Sequence, residues 1–185
     1  MNQHIYDVKS LITEMRKGFR PKYLFFWLHQ PYESGQIGKE CLSQWWSSSF
    51  TVEGVVYHTA EHYMMAEKAR LFGDNLTREK ILSASHPNVV KKLGRDVKDF
   101  DEEIWFQHRF DIVVRGNAAK FGQNDALKSF LLNTKGCMLV EASPFDRVWG
   151  IGLAGDDPNA ENPEKWKGLN LLGFALMEVR TQLKE

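Results

Sequence analysis

The sequence is poor in cysteine, has no excess of one charge and contains no long apolar run. Its two cysteines, Cys41 and Cys137, form no Cys-x-x-Cys pair, so we expect a reducing compartment, the cytoplasm, and no disulfide framework. Lysine plus arginine and aspartate plus glutamate both number 24, which argues against stable binding of long nucleic acid through its phosphates. The first residues lack a leader-like apolar region, and no stretch approaches the ~18 apolar residues of a membrane span, so we expect no membrane association.

Apolar periodicity predicts an α+β fold that is predominantly α-helical, a compact single domain with a few short strands. The aromatic run Tyr23–His29 is typical of a buried strand, and Glu53-Gly54 between two strand-like runs predicts a hairpin. Thr59 is a good N-cap for a helix that reaches about Leu71. Further helices are predicted over residues 4–17, 76–83, 87–96, 102–121, 124–132 and 171–183, and a strand over 137–142.

The stretch His58-Thr59-Ala60-Glu61-His62 matches the inverted zinc-peptidase pattern H-x-x-E-H. A zinc helix needs both histidines on one helical face, four residues apart. If Thr59 caps the helix, His58 lies outside it and this relation fails. A catalytic zinc also needs a third protein ligand, and no further cluster of histidine and acidic residues stands out. We therefore predict no metal and no other cofactor.

Glu61 and Lys68 are seven residues apart, nearly two helical turns, and so share a face. Glu61 is explained either as a first-turn acid that suits the helix dipole or as a functional carboxylate. The dipole favours its ionised form, which fits charge stabilisation or water activation better than proton donation. Lys68 lies on an otherwise apolar face, where a lysine either snorkels at the edge or is held in a pocket.

A second pattern, Gly150-Ile151-Gly152-Leu153-Ala154-Gly155, is formally G-x-G-x-x-G. A dinucleotide fingerprint needs a helix directly after it, and the following DDPNAENP cannot begin one. The glycines instead allow close approach of the backbone to a neighbour or a ligand. Asp146 and Trp149 precede them, a carboxylate and an aromatic platform that suit a ribose or nucleobase, unless this is a packed loop with a buried tryptophan.

Five blocks of the chain resemble the NADAR (YbiA-like) family over about residues 23–183. They are TAEHYMMAEKA (59–69), LGR (93–95), AAKF (118–121), EASPFDRVWGIG (141–152) and GLNLLGFALMEVR (168–180). The resemblance implies a helix-rich domain that hydrolyses N-glycosidic bonds at ribose C1′. The implied substrates are ribosylamino-pyrimidine phosphates of riboflavin biosynthesis or ADP-ribosylated guanine. Residues 1–22 would be an N-terminal helical extension and residues 23–185 the NADAR-like catalytic domain.

The resemblance also implies site residues. As catalytic residues it marks Glu61, Lys68 and Asp146, and as substrate-binding residues His62, Arg95, Trp149, Gly150, Gly152 and Asn170. Many relatives have a Phe-Ser-Asn-Phe-like segment where this chain has Leu42-Ser43-Gln44-Trp45-Trp46, so Gln44 and Trp45 are predicted to influence which base is accepted. A different class, a non-catalytic ADP-ribose or NAD-binding module, would use the same pocket without the chemistry.

Overall fold

The computed structural model describes residues 5–29 and 36–184, and helices dominate this part of the chain. In chain order the α-helices are α1 (Val8–Arg16), α2 (Ala60–Leu71), α3 (Asn75–Ser83), α4 (Pro87–Arg95), α5 (Glu102–Gly122), α6 (Asp125–Asn133) and α7 (Leu171–Gln182). The strands are β1 (Lys22–Phe26), β2 (Phe50–Val52), β3 (Val55–Tyr57) and β4 (Cys137–Glu141), and short 3-10 turns cover Lys39–Leu42 and Pro163–Lys165. The predicted α+β class, predominantly helical with a few short strands, is confirmed.

The chain divides into two compact units, residues 1–43 with 129–185 and residues 44–128. In the first unit, β1 and β4 form a parallel pair in which Leu24 lies opposite Leu139. The three middle residues of β4 are buried, and α7 packs against this strand with most of its length buried. Helix and strand thereby remove each other's apolar faces from water, which stabilises both.

The second unit is built around α2. This helix packs against α3, α4 and α5, and all its residues from Ala60 to Glu67 are buried. A helix enclosed on every side needs apolar or internally satisfied residues all round, so its polar residues are placed with specific partners. The predicted hairpin is confirmed as the antiparallel pair β2–β3, with Glu53 and Gly54 at φ 50° and 80° in its turn.

The predicted buried strand over Tyr23–His29 is wrong at its end. β1 stops at Phe26, which pairs with the last residue of β4, Glu141. Beyond that point Trp27 and Leu28 are 39% and 58% exposed. The aromatic run indicated a strand correctly, but the length of the partner strand decided where pairing ended.

The predicted N-terminal helix is present as α1, shorter than the expected residues 4–17. It begins at Val8 because Asp7 and Ser10 form a reciprocal capping box that satisfies the first backbone N–H groups. Its Leu11 is fully buried within the first unit, and Arg16 pairs with Glu164 at 2.6 Å. Residues 1–4 of the predicted extension lie outside the described residues, and the division between residues 22 and 23 stays a prediction. Within residues 5–29 and 36–184, no helix is both long and apolar enough to cross a membrane.

Candidate active site

The start of α2 holds Glu61 in a fixed position. Thr59 caps the helix, and its hydroxyl accepts from the backbone N–H of His62 at 3.3 Å. The backbone N–H of Glu61 donates to the carbonyl of Gln44 at 3.0 Å. Glu61 is thus the first-turn acid that the sequence predicted, and it is only 4% exposed. A buried carboxylate near the positive end of a helix whose backbone is fixed in this way is suited to face a developing positive charge.

The zinc-like pattern does not lie on one helix. His58 precedes the cap, outside α2, and is exposed, whereas His62 is buried inside the first turn. The Nε2 of His62 donates to the carbonyl of Ala84 at 3.0 Å, so its Nδ1 accepts from the hydroxyl of Thr59 at 2.8 Å. In residues 5–29 and 36–184, no three histidine, cysteine or acidic side chains are grouped so that they could hold a metal ion. The bonds of His62 favour a structural role, and its predicted substrate contact stays a prediction.

His62 therefore gives a prediction about stability. Because His62→Ala removes the acceptor of the Thr59 hydroxyl proton and the donor to the Ala84 carbonyl, we expect the free energy of unfolding at pH 7 to fall by roughly 2–4 kcal/mol. Burial lowers the pKa of His62 below 6.5, so the unfolded state binds more protons as the pH falls below 6.5. The contribution of His62 is complete above pH 6.5 and is lost as the pH falls through its folded pKa.

Urea unfolding at pH 7 and pH 5 measures both effects. The wild-type protein should lose more stability between these pH values than His62→Ala does. His108→Ala, at an exposed position on α5, serves as the control and should resemble the wild type. Equal acid sensitivity of the wild type and His62→Ala would contradict the assignment of a neutral, doubly bonded His62.

Lys68, two turns after Glu61, is held by its surroundings rather than extended into solvent. Its Nζ donates to the backbone carbonyl of Gly94 at 2.7 Å and lies 4.0 Å from the centroid of the Phe100 ring. The ring of Trp105 is 5.7 Å away. Burial lowers the pKa of Lys68 below its usual 10.5, as expected for an amine that two aromatic rings partly shield from water. Of the two alternatives, a snorkelling lysine and a held one, the structure favours the second.

Two residues near Lys68 carry roles that the sequence did not single out. Gly94 is buried where α4 crosses α2, and a Cβ there would collide with the Met65 side chain. The absence of a side chain lets α4 come close enough for its carbonyl to reach Lys68. The second residue is Phe100, and the segment before it is hydrogen-bonded to Asp74. The Asp74 carboxylate accepts from the backbone N–H of Lys98 at 3.0 Å. That bond, with those to Thr77, lowers the pKa of Asp74 to about 2.

The remaining predicted residues of this unit are placed as follows. The side-chain oxygen of Gln44 accepts from the Asn117 carboxamide at 2.8 Å, in a buried contact that anchors the segment before α2. Trp45 is half-buried and meets the His86 ring edge-on, with 6.3 Å between centroids. Arg95 is exposed at the last residue of α4. Its guanidinium is therefore accessible to a ligand, as a phosphate clamp requires.

In the other unit, Asp146 organises the loop that follows β4. One of its carboxylate oxygens accepts from the backbone N–H groups of Val148 and Trp149, both at 2.8 Å. Its own N–H donates to the Ser143 hydroxyl at 3.2 Å. These bonds form an Asx-type turn that fixes the carboxylate and the half-buried Trp149 relative to each other. Asp146 is therefore adjacent to the backbone of Trp149, and the expected use of the Trp149 ring as a platform stays a prediction.

The glycines of this loop serve close packing of the chain on itself. A Cβ on Gly150 would lie 2.8 Å from the Glu141 carbonyl oxygen, and Gly152 has a φ of 67°. No helix follows Gly155 until α7, apart from the short turn at Pro163–Lys165, so the dinucleotide geometry is not formed here. Of the two roles expected for these glycines, the structure shows approach to a neighbouring backbone.

Asn170 closes the same loop. It adopts a left-handed conformation with φ 52° and is fully buried. Its carboxamide accepts from the Glu141 N–H and donates to the Leu139 carbonyl, both at 3.0 Å, in the way that a neighbouring strand would. Its backbone N–H donates to the Gly150 carbonyl at 3.1 Å. These contacts make Asn170 a structural link between β4, the glycine loop and α7, and its predicted ligand contact stays a prediction.

The predicted residues fall into two groups. In residues 44–128, one helix carries Glu61, His62 and Lys68, with Gln44 at its start and Arg95 on α4. In the other unit, one loop brings Asp146, Trp149, Gly150, Gly152 and Asn170 together. These features define a mostly helical α+β protein with a buried acid and a lysine of lowered pKa on one helix.

Comparison with known protein families shows which family the chain belongs to. Residues 25–184 match the NADAR domain model, so the protein belongs to the NADAR family. It is 43% identical over 166 residues to N-glycosidase R617 of Acanthamoeba polyphaga mimivirus, covering 87% of this chain and 96% of that protein. It is 36% identical over 132 residues to N-glycosidase YbiA of Escherichia coli, covering 71% of this chain and 74% of YbiA.

Two further similarities extend this result. The NMR structure of YbiA matches with a TM-score of 0.70 at 30% identity, covering 90% of this chain and 87% of that one. A protein of Vibrio vulnificus called riboflavin biosynthesis protein VVA0006 is 31% identical over 180 residues, which is 97% of this chain but 42% of that longer protein. The fold and the family predicted from the sequence blocks are confirmed.

Proposed function

We propose that this protein is an N-glycosidase that hydrolyses the bond between ribose C1′ and the nitrogen of a base. Two relatives that align over more than two thirds of the chain carry that name. The observation that carries the proposal is the pair on α2, a buried Glu61 and a Lys68 whose pKa burial lowers. A module that only bound ADP-ribose or NAD would need neither the lowered pKa nor an acid two turns away.

The reaction passes through a ribose with positive charge at C1′, which a fixed carboxylate stabilises. We assign that role to Glu61 or Asp146, either of which can also orient the attacking water. Trp149 is the proposed stacking platform for the base. Arg95 is the proposed phosphate clamp, since an exposed guanidinium can form paired bonds to phosphate oxygens. Substrate-binding roles are also proposed for His62, Gln44 and Trp45 in residues 44–128, and for Gly150, Gly152 and Asn170 in the other unit.

For Lys68 we propose a covalent role in the reaction. Its neutral amine would attack C1′ as the bond to the base breaks, and the base would leave with a proton taken from the lysine nitrogen. Opening of the sugar ring gives a Schiff base, and addition of water then releases the aldehyde form of the sugar and the free amine. The lowered pKa raises the fraction of neutral amine that this step needs. The alternative role is a simple ion pair with a substrate phosphate.

The substrate class we propose is a phosphorylated ribosyl compound. A ribosylamino-pyrimidine phosphate is favoured by the similarity to a protein named for riboflavin biosynthesis. ADP-ribosylated guanine is the second candidate and rests on the family resemblance. We also propose a cytoplasmic location, for which the thiol state of Cys41 and Cys137 is suitable.

Direct assay tests this function. Purified protein is incubated with ribosylamino-pyrimidine phosphate and, separately, with ADP-ribosyl-guanosine, and the released base and sugar phosphate are separated and quantified. We expect multiple turnovers on at least one of them, insensitive to EDTA. Tight binding without release of base from either compound would instead support the binding module.

A further inference from the structure

A polar cavity lies in residues 44–128, on the opposite side of α2 from Glu61 and Lys68. It has a volume of about 100 Å³. Tyr63 and Glu67 line it, and they follow Glu61 by two and six residues, so they point away from the Glu61 face. Three arginines, Arg70, Arg78 and Arg115, also line this cavity, which we call the arginine pocket.

The charges of the arginine pocket do not cancel. Glu67 is buried and bonded to Arg70 by both carboxylate oxygens, at 2.8 to 3.0 Å, so these two neutralise each other. The positive charges of the Arg78 and Arg115 guanidinium groups are left over from this pairing. The other acid of the lining, Glu53, is exposed in the hairpin turn, where water screens it. The enclosed part of the pocket therefore favours an anion.

Two tyrosine hydroxyls complete the donor set. Arg78 is hydrogen-bonded to Tyr57 and Arg115 to Tyr63, which lowers the pKa of each phenol, but burial outweighs this and raises the pKa of Tyr63 to about 12. Both hydroxyls are therefore protonated at neutral pH and able to donate. The Tyr63 ring is held by Gly116, because a Cβ at that position would collide with it.

One donor of a pocket residue lacks an acceptor. The Nε of Arg78 is buried and has no hydrogen-bond partner among residues 5–29 and 36–184. A buried guanidinium N–H without an acceptor is costly, and most buried donors in folded proteins are satisfied. An anion with several oxygens would accept from this Nε–H and from the hydroxyls beside it.

We propose that the arginine pocket binds one phosphoryl group, with Arg78 and Arg115 as its charged donors and Tyr57 and Tyr63 as hydroxyl donors. The planar guanidinium fork matches the spacing of phosphate oxygens. A cavity of about 100 Å³ accepts this group but is well below the ~300 Å³ typical of pockets for whole small-molecule ligands. The site is separate from the phosphate clamp assigned to Arg95, and it does not depend on the proposed reaction.

Titration with inorganic phosphate, followed by NMR of the arginine Nε–H groups, tests this directly. The Arg78 Nε–H resonance should move downfield and saturate, because the proton gains an acceptor. Arg78→Gln should weaken the phosphate binding measured by calorimetry at least ~10-fold, the loss expected for a charge-assisted bond. Lys80→Gln, which removes one positive charge from an exposed position of the same helix, should bind as the wild type does. Arg95→Gln should leave the movement of the Arg78 resonance intact.

Two results would overturn the proposal. One is an Arg78 Nε–H resonance that stays fixed while phosphate is added to the wild-type protein. The other is equal phosphate affinity of Arg78→Gln and Lys80→Gln, with thermal unfolding showing that both are folded. Arg78→Lys covers the case in which the glutamine variant does not fold, since it keeps the charge but loses the fork and should bind more weakly than the wild type. Repeating the titration with glycerol phosphate distinguishes a site for phosphomonoesters from a site for the free anion only.

Discussion

Replacing Glu61 by glutamine is expected to lower kcat by ~100-fold or more, with a smaller change in KM. The substitution keeps the size of the side chain and removes the negative charge that would stabilise C1′ or orient water. Losses of 10²–10⁴-fold are usual when a group of this kind is removed. Because the charge matters in the transition state more than in the bound substrate, the effect should fall on kcat.

The control for this variant separates chemistry from folding. Glu79→Gln removes the same charge from an exposed position on α3 and should retain wild-type turnover. Thermal unfolding of Glu61→Gln shows whether the start of α2 is intact, and we expect a small shift, since Thr59 and the Gln44 carbonyl still hold the first turn. Turnover of Glu61→Gln within a few fold of the wild type, with folding intact, would exclude Glu61 as the catalytic carboxylate and leave Asp146.

Replacing Lys68 by arginine is expected to abolish covalent trapping and to lower turnover at least ~100-fold. Arginine keeps the positive charge but stays protonated, so it can pair with a phosphate and cannot form a Schiff base. The wild-type protein should be trapped on its substrate when borohydride is present, and mass spectrometry of the peptide with Lys68 would locate the adduct. If Lys68→Arg turns over within a few fold of the wild type, the ion-pair role is correct instead.

The pH dependence gives an independent measure of the same amine. Because burial lowers the pKa of Lys68, its neutral fraction should rise at a pH below 10.5, and turnover should rise with it to a plateau. Between the folded pKa and 10.5 the unfolded state binds more protons at this position, so the wild type should gain stability as the pH rises through that window. Lys68→Arg should show neither change, and Lys92→Arg on the exposed surface of α4 should show both.

Much of the local structure of the candidate site was predictable, because its signals lie within a few residues of each other. A Thr59 cap followed by an apolar run predicts the start of α2, and the spacing from Glu61 to Lys68 places both on one face. The five sequence blocks identified the family before any contact was known. Local patterns also argued against the zinc interpretation, since a residue before an N-cap does not share a helical face with one inside the helix.

The hydrogen-bond partners of individual polar side chains were not predictable, because they are residues far away in sequence. Nothing near His62 shows that Ala84 will accept its proton, and nothing near Asn170 shows that its carboxamide will pair with β4. The same holds for the end of β1, where the partner strand stops. Such contacts follow from how elements pack, and a short window of sequence does not contain that information.

By itself, the sequence determined the helix-rich class, the helix with Glu61 and Lys68, and the family, because caps, periodicity and motif blocks act over a few residues each. Only the tertiary structure decided that Lys68 is held and partly desolvated rather than snorkelling. That result needs Gly94 to let α4 approach α2 and Phe100 to cover the amine, from 26 and 32 residues further along the chain. The ionisation of a side chain depends on its whole surroundings, and those exist only after the chain has folded.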